Sequence, residues 1–156
     1  MTAWKCGFME NGNIALIELD IPEDADRIEF CSHKGVTTGR CSFADVLSIK
    51  EILDNGNEKD TQESAVSAFN FNFKYTPRTR VFPDIYNKIG YIQCTNGIHY
   101  FKTAHDALAY SRTDYWFNCR HRDYLMYQVT RTWKIKSNTN IKEDIVLCIT
   151  TNGEKY

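Results

Sequence analysis

Apolar and polar positions alternate most regularly in four stretches of the chain. In residues 14–21, Ala15, Ile17, Leu19 and Ile21 share one parity and Glu18 and Asp20 the other, the pattern of a half-buried strand. Residues 4–8 read as the strand before it, joined through Asn11-Gly12-Asn13, a hairpin signal, and Pro22 closes the pair. Phe69, Phe71, Phe73 and Tyr75 alternate with Asn70, Asn72 and Lys74, which predicts a strand with an aromatic face. Further on, Leu125, Tyr127, Val129, Trp133 and Ile135 predict a long strand, and Ile145, Leu147 and Ile149 the inward face of a last one over 141–150.

The period changes within 91–111. Tyr91 and Ile92 open an extended run, Cys94-Thr95-Asn96-Gly97 is a polar turn, and residues 98–101 resume a strand. Thr103 then caps a helix predicted over 103–111, with Asp106 three residues on and Ala104, Ala107 and Leu108 spaced as one buried face. Signals elsewhere are weaker. Residues 23–40 are polar and punctuated by glycine, Ser42 to Asp45 predict a helical turn before a strand over 46–53, and 54–64 lack any apolar residue, which predicts a mobile polar loop. Residues 77–90 read as an irregular connection with a single turn at 84–88, and 113–123 as an aromatic and basic linker. The sum predicts one α+β domain over 1–156: a strand-dominated mixed or antiparallel sheet, one clear helix and a few short ones.

At 156 residues and 42% hydrophobic, the chain can bury a core without staples. A net charge of -1 offers no basic field for phosphate backbones, so nucleic acid is not the expected partner. No apolar segment follows a basic start and no run approaches the ~18 apolar residues of a membrane helix, so the expected location is cytoplasmic, with no membrane partner. The six cysteines form no CxxC pair, which favours thiols over a disulfide framework.

Cys94, His99 and His105, with Cys119 and His121, invite a zinc reading, but their spacing lacks the paired ligands of such sites, and no metal is expected. A Cys94–His99 nucleophile pair has no oxyanion turn beside it, and no G-x-S-x-G elbow is present. Side-chain direction offers more. If Ile98 and Tyr100 pack on the helix, His99 and Phe101 look to the other side, next to a Thr95-Asn96-Gly97 backbone open to a ligand. With the aromatic stripe of 69–75 they would form a flat, polar-edged pocket. The ligand-binding candidates are Asn96, Gly97, His99, Phe101, Phe71, Phe73 and Tyr110, with Arg78 and Arg80 of the connection. The plainer alternative for His99 is a hydrogen-bonded core histidine. Glu143 shares its parity with Ile145, Leu147 and Ile149, a costly inward place for a carboxylate unless it is partnered, functional or exposed by fraying.

Four segments, LDIPEDADR (19–27), GRCSFADVLSI (39–49), VFPDIY (81–86) and CTNGIHYFKTAHDALAY (94–110), together resemble an uncharacterised domain of large DNA viruses, phages and bacteria, often found beside pentapeptide repeats. More distantly, Gly97-Ile98-His99-Tyr100-Phe101 followed by 107–110 is similar to the signature strand and helix of the ADP-ribosyltransferase fold. That resemblance implies His99 stacking on nicotinamide and, through IKEDIV (141–146), Glu143 as the catalytic carboxylate. The chain departs from the pattern at Trp4-Lys5-Cys6, which supplies no histidine or arginine for the nicotinamide ribose. The leading expectation is therefore a non-catalytic protein, viral or phage in type and acting in the host cytoplasm. Its pocket would take a nucleotide or ADP-ribose-like ligand, sequestering a signalling nucleotide without a cofactor. The alternatives are an ADP-ribosyltransferase using NAD, and a protein-interaction module directed at a host protein through a sheet edge or TDYWFN (113–118).

Overall fold

The structure, a computed structural model, describes residues 1–32, 35–68, 70, 72–92 and 95–112. The strands expected over 125–135 and 141–150, the linker before them, and Phe69, Phe71, Cys94 and Glu143 lie outside the described residues. The elements are β1 (Thr2–Phe8), β2 (Ile14–Asp20), β3 (Arg27–Cys31), β4 (Thr37–Cys41), β5 (Ala44–Ile52), β6 (Glu58–Thr61), β7 (Ala65–Ser67), β8 (Lys74–Tyr75), β9 (Arg80–Val81), β10 (Ile98–Phe101) and α1 (Ala104–Arg112). Every described strand pairing is antiparallel, and the main path through the sheet runs β3-β4-β10-β1-β2-β5-β6. The described residues form an α+β fold built on one antiparallel sheet, one of the two arrangements expected for a strand-dominated domain with a clear helix.

The β1–β2 hairpin is the centre of this sheet. Gly12 takes φ 93° in the turn, and the Asn11 and Asn13 amides both donate to the buried Glu51 carboxylate at 2.7 Å, satisfying its charge. Ala15, Ile17, Leu19 and Ile21 are fully buried in the larger core cluster with Ala3, Val46, Ile49, Tyr75, Ile98 and Tyr100. The other face is covered too: Cys6 and Leu16 pack under α1 against Ala107, with Trp4, Ile14 and Phe101 around them. Helix α1 begins as predicted. Thr103 Oγ1 accepts from the Asp106 N–H at 3.1 Å and donates to the Asp106 carboxylate at 2.8 Å, and the Cys6 thiol donates to the Ala107 carbonyl, tying the helix to β1.

Several elements differ from expectation. Residues 23–40 contain the β3–β4 hairpin. No helical turn precedes β5, whose first residues pair with β9, and a bulge between Glu18 and Leu19 leaves Leu47 exposed. The expected mobile loop at 54–64 is instead a tight turn with Gly56 at φ 84°, followed by the edge strand β6. The stretch 69–75 is not one strand, because the chain reverses between β7 and β8: the Phe73 N–H returns to the Asn70 carbonyl at 2.9 Å, and the Asn70 side chain takes the Asn72 N–H. Tyr91 lies in a turn rather than an extended run, and 84–88 form no helical turn.

Candidate functional site

The site follows from how β1 shares its edge. Opposite β2, β1 pairs with β10 only at Trp4, against Phe101, and with β7 at Gly7 and Phe8, against Ser67 and Val66. Between these contacts β10 and β7 part. Gly7 permits β7 to come this close, since a Cβ there would stand 2.4 Å from the Val66 carbonyl oxygen. At the fork a cavity of about 220 Å³ opens, lined by Lys5, Ser67, Asn70, Phe73, Tyr75, Asn96, Gly97, Ile98 and His99, with Pro83, Asp84 and Ile85 along its side.

Lys5 is the unexpected member. It pairs with Ile17 across the hairpin, which turns its side chain onto the core face, and it is only 6% exposed. Its ammonium donates to the His99 carbonyl at 2.9 Å and lies 5.9 Å from the Tyr75 ring centre. It makes no ion pair with a carboxylate among the described residues. Burial pushes its pKa down to about 8. Once the Asn11-Gly12 hairpin is drawn, parity places Lys5 opposite Ile17 on a face otherwise made of Ala3 and Gly7, but the His99 acceptor that lets it be buried lies 94 residues away and leaves no local signal.

His99 sits beside Lys5 with its Nε2 atom 2.6 Å from the Thr95 carbonyl. A carbonyl can only accept, so Nε2 carries the proton. Burial, with the positive charges of Lys5 and Arg40 nearby, lowers the His99 pKa to about 4, so the ring is neutral near pH 7. Both the hydrogen-bonded core histidine and the pocket histidine of the sequence reading therefore describe it in part.

The irregular connection over 82–97 is held by Arg40, which the sequence reading missed. Arg40 is fully buried opposite His99 in the sheet, its guanidinium donates to the carbonyls of Asn87, Ile89 and Ile92, and it stands 5.5 Å from the Phe30 ring centre. Gly97, at φ 145°, fits where a Cβ would press 3.2 Å from Arg40 and from the Tyr86 ring. The Asn87 N–H takes the Asn96 carbonyl, and the Asn87 amide donates to the Thr95 hydroxyl. Two carbonyls of the 95–97 backbone, expected to face a ligand, are therefore used within the protein.

Of the ligand-binding candidates, the structure gathers Asn96, Gly97, His99 and Phe73 around the cavity. It separates Phe101, Tyr110, Arg78 and Arg80 from it. Ile98 and Tyr100 join the larger core, so the face expected to meet the helix is reversed, and Phe101 packs on the helix side with its ring 5.3 Å from that of Tyr110. Arg80 is bound bidentately by Asp45 at 2.7 and 2.8 Å and stacks 5.0 Å from Phe43, while Arg78 holds the β5–β9 junction by donating its backbone N–H to the Val46 carbonyl. Neither arginine lines the cavity. Among the described residues no group of His, Cys, Asp and Glu is placed to hold a metal ion, and no helix is long and apolar enough to cross a membrane.

Residues 1–107, which include every cavity-lining side chain, match the model of a family of unknown function, DUF5758. No curated protein and no solved structure matches the chain.

Proposed function

We propose that this chain, which belongs to the DUF5758 family, is a non-catalytic small-molecule-binding protein whose ligand enters the fork between β10 and β7. The observation that carries this reading is Lys5, a desolvated amine at the wall of a cavity that also presents aromatic rings and side-chain amides, without an ion-paired carboxylate among the described residues. A buried ammonium is costly, and a fold keeps one where a ligand or reaction uses it. Phe73 and Tyr75, 5.1 Å apart and edge to face, form the flat wall, while Asn70 and Asn96 supply amide edges.

Size narrows the ligand. Drug-sized molecules occupy roughly 300–1,000 Å³, whereas this cavity is about 220 Å³. It takes one planar ring or one sugar, with the rest of the ligand lying outward past Pro83 and Ile85. A nucleotide or ADP-ribose-like molecule entering by one end fits this description. The exposed Asp84 disfavours a phosphate on its side of the opening and suits a sugar hydroxyl instead. The ADP-ribose part of the reading rests on the resemblance of residues 97–101, and a sequestering role follows from binding without turnover.

The test is thermal denaturation with nicotinamide, adenosine, ADP and ADP-ribose in turn. A ligand that binds only the folded state at a hundred times its Kd adds about 2.7 kcal/mol to stability. A rise in melting temperature with one of them, lost in Phe73→Ala, is the expected result. Absence of any rise with all four would refute the ligand class.

A further inference from the structure

The chemistry of Lys5 takes the binding reading one step further, and rests on it. We infer that Lys5 is a covalent attachment point, whose ε-amine condenses with the aldehyde of a ligand seated in the fork. The geometry behind this is specific. Lys5 lines the cavity from the floor of β1, beside the gap where neither β10 nor β7 pairs with that strand. Its described hydrogen bond is one N–H to the His99 carbonyl. A neutral amine keeps that bond and still has a lone pair and a second N–H to offer. Burial disfavours the ammonium form, and no carboxylate among the described residues pairs with it to hold that form.

The condensation balances without an oxidant or reductant. The amine lone pair attacks the carbonyl carbon, and the C=O π electrons move to oxygen. The resulting carbinolamine transfers protons and loses its hydroxyl as water, leaving a C=N bond between Lys5 and the ligand carbon. Both hydrogens of the amine leave with the carbonyl oxygen. Desolvated lysines are the ones that do this chemistry. With a pKa of about 8, roughly a fifth of Lys5 is neutral at pH 7.4, against roughly a thousandth for an ordinary lysine. His99, neutral and fixed by Thr95, and the Phe73–Tyr75 wall favour a flat conjugated aldehyde or the open-chain form of a free ribose. The reducing end of ADP-ribose is such a group, whereas ADP carries none.

The experiment uses the whole chain at pH 7.4. It is incubated with pyridine-3-carboxaldehyde, and separately with ADP-ribose, in the presence of cyanoborohydride, which reduces imines to stable secondary amines. Peptide mapping then compares Lys5 with the well-exposed Lys88 within the same molecules, so no variant needs to fold. The expected result is labelling of Lys5 about tenfold faster than Lys88, set by its larger neutral fraction and moderated by its lower basicity. The rate should fall tenfold per pH unit below the titration of Lys5, and Lys5→Arg should abolish that adduct. Labelling of Lys88 with Lys5 untouched overturns the inference. If ADP and ADP-ribose still raise the melting temperature in that case, the binding reading stands alone. If Lys5 is labelled by the small aldehyde but no nucleotide raises the melting temperature, the attachment point stands and the nucleotide class falls.

Discussion

Lys5→Met isolates the cost of holding an amine where the fold holds this one. Methionine has nearly the same length and no charge, so it keeps the packing against Ile17 and Tyr75. A folded-state pKa near 8 against the ordinary 10.5 means the charged form is disfavoured in the native protein by about 3 kcal/mol. The sign follows from proton binding. Between pH 8 and 10.5 the unfolded chain binds the proton that the folded chain has released, so native stability rises with pH across that window and the penalty is fully present below it. Methionine removes the penalty but leaves the His99 carbonyl without its described donor, a loss of about 1 kcal/mol. The variant should therefore be more stable than the parent by about 2 kcal/mol at pH 7 and less stable by about 1 kcal/mol near pH 11. Urea denaturation of both proteins at half-unit intervals from pH 6.5 to 11 measures this. Ionisation of the tyrosines is common to the two and cancels in the difference. A Met variant that is less stable at pH 7, or a difference that does not move with pH, would refute the claim that the ammonium is desolvated at the fork. A gain in stability would mark Lys5 as a residue kept for use rather than for folding.

His99 gives a second pH window. Its pKa is lowered to about 4, so the unfolded chain takes a proton first as pH falls, and stability present above about 6.5 is lost by up to about 3 kcal/mol on the way to 4. His99→Gln should flatten that limb in denaturation curves, while Asp45, held low by Arg80, and Glu51, held low by Asn11 and Asn13, contribute their losses at more acid pH. Arg40→Leu should cost about 3–5 kcal/mol, because three carbonyls lose their donor in a buried place. Arg40→Lys should recover little of it, since an ammonium cannot span the three acceptors as a planar guanidinium does. Hydrogen exchange should then accelerate first in 85–97, and unchanged exchange there would show that Arg40 does not hold the connection.

What could be read from the sequence was whatever a single local signal determines. The β1–β2 hairpin has a turn chemistry and a parity that agree, and α1 has a cap, an acidic first turn and one apolar stripe. Strand β6 escaped because Glu58, Lys59, Asp60 and Thr61 lie at a sheet edge, where charge guards against pairing and no face has to be apolar. The alternation of 69–75 misled for the opposite reason: Phe73 and Tyr75 are wanted by the core, and Asn70 turns the chain between β7 and β8. The site was half legible. Asn96, Gly97 and His99 announced themselves as a glycine turn beside a histidine. Lys5 and Arg40 did not, because a buried cation has meaning only through acceptors far away in the chain, here His99 for Lys5 and Asn87, Ile89 and Ile92 for Arg40. Phe101 was assigned to the ligand by parity, and parity cannot say which side of a sheet the helix will choose; Tyr110, on that helix, packs against it there.

The shared edge of β1 has a consequence for how this chain can vary. Seven consecutive residues of β1 are matched one to one with β2, while Trp4 answers to β10 and Gly7 and Phe8 answer to β7. Deleting or inserting one residue between Trp4 and Gly7 would exchange the two faces of the strand, carrying the amine of Lys5 under α1 and turning Trp4 or Cys6 toward the cavity. The turn at 53–57, bounded by one hairpin alone, carries no such double obligation. Length changes should therefore gather at the tips of the outer hairpins and be absent from residues 4–7, so that the spacing of four residues guards the chemistry of the fork.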